Sequence, residues 1–234
     1  MKWTILFFSV FSLVNIQAQI ATGVYHADEN VDGLSMTHEL KIDDTYFIHT
    51  IYTKSPAGFI KTLGGFYTLE NGIVSVKLEF NSNYEENTIT SVELPVQVVG
   101  GDLIIGGDAN LTFKKDPSFT QPLDGKWLFA TRGPDEGQER RGENVPRKTM
   151  KFLLDGYFQW IAYNTETFAF SGTGGGTYTA KDGVYSENIQ FFSRDNARVG
   201  AELNFTYEIK GDDWHHKGKN SKGAPMYEIW TARK

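Results

Sequence analysis

Trp160, Trp214 and Trp230, with Tyr163 nearby and His216 two residues after Trp214, are the residues of this chain most able to form a binding site. Together they make a candidate aromatic lining, suited to stack on sugar rings or planar apolar ligands. The same side chains could equally fill a core, since aromatics bury large areas wherever they face inward. His215 and His216 are sequence neighbours, and on a strand neighbours point to opposite faces, so both cannot hold one metal ion from one side. No HExxH is present, and neither a metal site nor a cofactor is expected. If His216 shares the phase of Trp214, it faces inward and reaches Glu228 or Glu208 across strands. Such a pair serves either as a general acid–base couple or as a hydrogen-bonded structural histidine.

Two basic clusters offer a second kind of chemistry. Arg140 and Arg141, with Arg147 and Lys148, form one, and Lys217, Lys219 and Lys222 form the other. Brought to one opening, they would hold a carboxylated or sulfated ligand by charge-assisted bonds; otherwise they are solvated surface charge. Ser171-Gly-Thr-Gly-Gly-Gly176 lacks the Lys-Ser/Thr of a phosphate loop and no helical pattern follows it. A strand bend or bulge accounts for those glycines. No Ser-His-Asp order, nucleophile elbow or diagnostic carboxylate pair is visible.

The elements that must position these residues are strands. Val92, Leu94, Val96 and Val98 alternate with Glu93, Pro95 and Gln97, and Leu203, Phe205, Tyr207 and Ile209 alternate with Asn204, Thr206 and Glu208. Asn71-Gly72, Gly100-Gly101, Gly106-Gly107, Asp155-Gly156, Asp182-Gly183 and Gly211-Asp212 punctuate the chain as hairpin turns. No convincing helical stripe occurs. Sliding the sequence by 111 positions matches Tyr46–Gly107 onto Tyr157–Gly218 with 16 of 62 pairs identical. That period is too long for a solenoid and suits a duplicated domain of roughly 100 residues. Repeat 1 places His49 opposite Trp160 and Leu103 opposite Trp214, so the three indoles belong to repeat 2 alone.

Composition sets the outer limits. The 234 residues contain no cysteine, which removes disulfides, thiolate metal sites, cysteine nucleophiles and a lipid-modified cysteine. The net charge of −6 argues against a nucleic-acid partner, which would draw a basic face. Lys2, the apolar run Trp3–Ile16 and Gln17-Ala18-Gln19 read as a secretory signal peptide cut after Ala18. The run falls short of the roughly 20 residues a membrane span needs, so no integral membrane segment is expected after cleavage. The expected destination is secreted or periplasmic.

Gly125-Lys126-Trp127 at the first strand of repeat 2, with Arg233 just after Trp230, resembles the Gly-x-Trp…Arg signature of the calycin superfamily. The run Gly174–Gly183, Trp214-His-His-Lys-Gly218 and Tyr227-Glu-Ile-Trp230 are similar to lipocalin-like domains of unknown function in secreted proteins of Bacteroidota. The resemblance implies small ligand-binding barrels in which the late Arg233 packs over Trp127 as a structural closure. The expected plan is therefore all-β: a signal peptide (1–18), then two tandem small up-and-down antiparallel lipocalin-like barrels, repeat 1 (19–118) and repeat 2 (119–234). Two functions remain open. One is a binding protein holding a small, acidic or carbohydrate-derived ligand, a sugar or an apolar molecule, with Trp160, Tyr163, Trp214, His216, Trp230, Arg140 and Arg141 as its contacts. The other is a carbohydrate-active lyase, isomerase or hydrolase using His216 and Glu228. A structural envelope protein is the third possibility.

Overall fold

The computed structural model describes residues 19–106, 110–220 and 223–234; the expected signal peptide, Gly107 and Lys222 lie outside the described residues. Alternation and turn chemistry produce sixteen strands. The first eight are β1 (Gly23–Val31), β2 (Leu34–Ile42), β3 (Tyr46–Lys54), β4 (Ala57–Glu70), β5 (Ile73–Asn81), β6 (Ser91–Val99), β7 (Asp102–Ile105) and β8 (Leu111–Lys115). The second eight are β9 (Gly125–Arg132), β10 (Arg147–Leu154), β11 (Tyr157–Asn164), β12 (Phe170–Lys181), β13 (Val184–Phe192), β14 (Glu202–Lys210), β15 (Asp213–Lys219) and β16 (Pro225–Ala232). Each set closes into an up-and-down antiparallel barrel, β1 pairing with β8 and β9 with β16. Closure leaves neither barrel an open sheet edge. Between β5 and β6 lies one helical turn, α1 (Tyr84–Asn87), and a 3-10 turn (Asn196–Arg198) takes the same place between β13 and β14.

The hairpin turns carry positive φ at both central residues, as at Asn71-Gly72 (52° and 76°) and its counterpart Asp182-Gly183 (50° and 77°). That backbone matches the right-handed twist of the strands it joins, which is why Asn-Gly and Asp-Gly occur there. The paired glycines kept in both repeats answer a different demand. β4 shifts register against β5 between Gly64 and Gly65, and β12 shifts against β13 between Gly175 and Gly176. A Cβ on Gly65 would lie 1.9 Å from the Lys77 carbonyl oxygen, and one on Gly176 would lie 2.0 Å from that of Asn188. The glycines are bulge residues under a closely approaching backbone, which is the role expected of the Ser171–Gly176 run.

Three cores result. One fills barrel 1 around Tyr25, Phe47 and Phe113, and one fills barrel 2 around Phe158, Tyr185 and Trp214. The third joins the barrels: Tyr46, Ile48 and Phe80 of barrel 1 pack on Met150, Phe152, Ile161 and Tyr163 of barrel 2. β10 is therefore buried on both faces, Met150, Phe152 and Leu154 facing the neighbour and Lys151 and Leu153 facing its own barrel.

Arg233 takes part in this junction and does not stack on Trp127. Strand phase decides the matter. Trp127 pairs with Ala232 and points inward, its indole N–H donating to the Leu123 carbonyl and its ring meeting Trp214 edge-on at 5.7 Å. Arg233, one residue further on, pairs by its backbone with Lys126 and faces barrel 1. Its guanidinium bonds both oxygens of Glu79 at 2.7 Å and lies 5.3 Å from the Tyr46 ring and 4.8 Å from Phe66. Tyr46 also donates to Glu79 at 2.7 Å. Burial alone would raise the Glu79 pKa, but Arg233 holds it below the ordinary carboxylate range.

Candidate functional site

A cavity of about 300 Å³ opens at one end of barrel 2. Its walls are apolar and largely aromatic: Trp160 on β11, Phe192 on β13, Leu203 and Phe205 on β14, Met226 and Trp230 on β16. Deeper polar groups come from mid-strand positions in the same inward phase, namely Lys151, Glu187, His216 and Glu228. The rim is formed at strand ends by Arg198, from the 3-10 turn, and by Lys219 and Asn220. An apolar cleft with a few convergent polar groups is the usual anatomy of a small-molecule site.

Lys151 is buried yet fully compensated. Its ammonium lies 2.9 Å from Glu187 Oε1, which also accepts the Tyr185 hydroxyl at 2.8 Å. The rings of Tyr185, Trp214 and Trp230 surround it at 4.9, 4.9 and 5.3 Å. A carboxylate plus several aromatic faces is what a desolvated ammonium needs.

His216 is the opposite case. It is 2% exposed, and neither ring nitrogen has a hydrogen-bond partner among the described residues. Nδ1 lies 3.5 Å from Glu228 Oε2, beyond good N–H···O geometry. Burial, and then the nearby Lys151 charge, push its pKa down to about 4, so the imidazole is neutral at neutral pH. Burial pushes Glu228 the other way, but the facing His216, the Lys151 charge and the Trp230 indole N–H, donating at 3.1 Å, keep it below the ordinary carboxylate range. A neutral imidazole offers one donor and one acceptor. Leaving both unmet in an apolar wall costs about 1–3 kcal/mol, which a polar ligand group in the cavity would relieve.

Four of the residues singled out from sequence meet here: Trp160, His216, Glu228 and Trp230 line the cavity. Trp214 stands behind them, packed 5.1 Å from the His216 ring and 6.1 Å from Trp230. His215 faces outward and bonds the Tyr227 hydroxyl at 2.8 Å, as alternation requires. Tyr163 does not belong to the site. It stands three residues from Trp160, hence on the other face of β11, and donates to Glu79 of barrel 1 at 2.9 Å.

The basic loops also divide. Arg140 folds onto the outer surface, bonding Asp135 at 3.0 Å and Asp213 at 2.7 Å, and Arg141 covers the Phe129 ring at 5.2 Å. Neither lines the cavity, because acidic and aromatic neighbours on their own side capture them first. Lys148 is held by the Glu143 and Val145 carbonyls, and Lys217 sits over Tyr227 at 4.4 Å. Among the described residues of the two clusters, only Lys219 lies at the rim, joined there by Arg198. Glu208 pairs with Lys210 at 3.0 Å and takes no part.

Lys151 and Glu187 escaped the sequence reading, although a signal existed. Each is a charged residue in the inward phase of an otherwise apolar set, Lys151 with Leu153 and Glu187 with Tyr185 and Ile189. Barrel 1 holds a different interior cluster: His38 Nδ1 lies 3.1 Å from His49 Nε2, and His38 Nε2 lies 3.2 Å from Glu29. Burial pushes His49 down to about 3, so this pair too is neutral.

Among the described residues no group of three or more His, Asp or Glu could hold a metal ion, and no helix is long and apolar enough to cross a membrane. No protein-family model matches the chain, and no curated protein matches it. Its two eight-stranded antiparallel barrels in tandem fit a lipocalin-like fold.

Proposed function

We propose that this is an exported lipocalin-like binding protein of the calycin superfamily, holding a small acidic or carbohydrate-derived ligand in the open end of barrel 2. The observation that carries this reading is His216, buried without a partner in a cavity walled by Trp160 and Trp230. A ring-shaped ligand would stack between the indoles and present a hydroxyl to the imidazole, while an acidic group would meet Arg198 and Lys219 at the rim. The Gly-x-Trp at the first strand of barrel 2 supports the superfamily placement, and the signal-peptide pattern supports export. Titration of uronates, sulfated sugars, pigments and fatty acids against indole fluorescence tests it. Saturable quenching or a spectral shift by one class is the expected result. No response to any class would defeat the reading.

One arrangement favours catalysis as the second reading: His216 and Glu228 face the same cavity 3.5 Å apart. A ligand hydroxyl placed at the imidazole would complete a general-base dyad, with Glu228 stabilising the imidazolium as it forms. Turnover of a bound carbohydrate that vanishes in His216→Ala, while binding and fold persist, would establish it.

A further inference from the structure

The contacts between the barrels exchange into one another under the 111-residue shift. Tyr52 of barrel 1 meets Phe191 of barrel 2 with ring centres 4.9 Å apart, and Tyr163 of barrel 2 meets Phe80 of barrel 1 at 5.2 Å. Tyr163 is the counterpart of Tyr52, and Phe191 that of Phe80. The hydroxyls behave alike. Tyr52 donates to Gln190 at 3.5 Å and Tyr163 to Glu79 at 2.9 Å, again counterparts. Pairs of counterparts also meet directly. Phe59 stacks on Phe170 at 6.3 Å with ring planes 8° apart, and Gln159 Nε2 donates to Thr62 and Thr173 at 3.2 and 3.1 Å. The short helical turns follow the same plan element by element: Tyr84 of α1 stacks on Phe168 just before β12, and the 3-10 turn lies against β4.

Residue i touching j while j touches i is the property of an isologous, two-fold interface. We infer that the inter-barrel face is a self-complementary dimerisation surface, and that the partner it fits is a second barrel of the same kind. The chain is a joined dimer whose halves are held by this face and not by the linker between β8 and β9.

The two-fold is broken at one place, and the break selects the partner. Glu79 corresponds to Gln190, but only Glu79 is gripped by an arginine. Arg233 is present once: its place in repeat 1, bonding by its backbone N–H to the Val24 carbonyl as Arg233 does to that of Lys126, is taken by Asp116. Lys126, which pairs with Asp43 across the same junction, is likewise present once. Two copies of barrel 1 brought together this way would bury two Glu79 carboxylates with no arginine to grip them. Two copies of barrel 2 would set two Arg233 against the neutral Gln190. Unpaired buried charge is strongly penalised, so the face joins barrel 1 to barrel 2 in preference to either like pair.

The test cuts the whole, folded protein. Residues 117–120 are exposed, and a protease recognition sequence inserted after Ser118 allows the linker to be cleaved once both barrels have formed. The two fragments are expected to co-elute as a 1:1 complex in size-exclusion chromatography at about 10 µM. Phe80→Ala and Phe191→Ala, introduced separately, are each expected to raise the dissociation constant by roughly tenfold or more, and by similar factors. Glu79→Ala is expected to weaken the complex as well. Separation of the unmutated fragments at that concentration, folded or not, would overturn the inference. So would a complex that is weakened by only one of the two phenylalanine changes.

Discussion

His216 and Glu228 face each other across the cavity of barrel 2 at 3.5 Å, close enough to couple electrostatically and too far to satisfy either imidazole nitrogen. The strands place them so through adjacent registration, His216 on β15 directly opposite Glu228 on β16. The neighbouring buried groups are compensated: Lys151 by Glu187, the Trp127 N–H by Leu123, the Trp230 N–H by Glu228 itself. Trp214 Nε1, packed against the same imidazole, is also unpaired, and Arg233 Nε, away at the junction with barrel 1, is the remaining such group among the described residues. Polar capacity left unmet at one spot, beside an opening, is where the ligand reading begins.

Trp160→Ala is the first consequence. Trp160 is half-buried and lines the cavity, with its ring edge-on to Phe192 at 5.5 Å. Removing it should weaken ligand binding by roughly tenfold or more while the unfolding temperature changes little, because stacking on a platform contributes about 1–3 kcal/mol. Calorimetric titration of the variant measures this. Unchanged affinity would remove Trp160 from the site.

The charged rim makes a second prediction. Arg198→Ala should reduce affinity for an acidic ligand several-fold and leave a neutral analogue unaffected, whereas Arg140→Ala should alter neither. Arg140 is committed to Asp135 and Asp213 on the outer surface. Binding isotherms at low and high salt separate the two, since a rim ion pair is screened.

Acid stability provides a third. His216 has its pKa depressed to about 4 in the fold, against an ordinary value of 6.5 when unfolded. Between those values the unfolded chain takes up a proton that the native chain refuses, so stability falls as pH drops from 6.5 to 4, by about 3 kcal/mol from this group. Replacing His216 with Phe should flatten that limb of a melting-temperature profile. His26 acts in the reverse sense. Burial opposes its charge, but Asp116 and Glu39 raise its pKa to about 9. Its contribution is complete below pH 6.5 and disappears as pH rises through 9, and His26→Asn should remove that alkaline loss.

Backbone geometry gives a fourth. Gly65→Ala and Gly176→Ala force a Cβ against a carbonyl oxygen at 1.9 and 2.0 Å, so each should cost roughly 3 kcal/mol or more in urea unfolding. Gly142→Ala, with nothing within 4 Å, is the neutral comparison.

Sequence alone carried the fold a long way. Strand alternation, Asn-Gly and Asp-Gly turns and the 111-residue repeat led to two tandem antiparallel barrels, because each is a local signal. The site was only partly legible. Phase along a strand brought His216, Trp214 and Trp230 to one interior, but Tyr163 required counting from Trp160 along β11, which puts it on the other face. Arg140 and Arg141 could not be located from type and charge, since loop side chains go to whichever partner the folded surface offers. Arg233 was misplaced for a related reason. Its position after Trp230 suited a stack on Trp127, and nothing local reveals that Glu79, 154 residues away, would claim it.

All four tryptophans of the two barrels lie in barrel 2, and only Trp160 and Trp230 line its cavity. Indole N–H resonances of a nitrogen-15-labelled sample therefore report on the site residue by residue. With a saturating ligand found in the fluorescence screen, the Trp160 and Trp230 signals should shift, while Trp127, bonded to the Leu123 carbonyl, should stay in place. Binding that moves Trp127 alone, or none of the indoles, would contradict a ligand site in the open end of barrel 2.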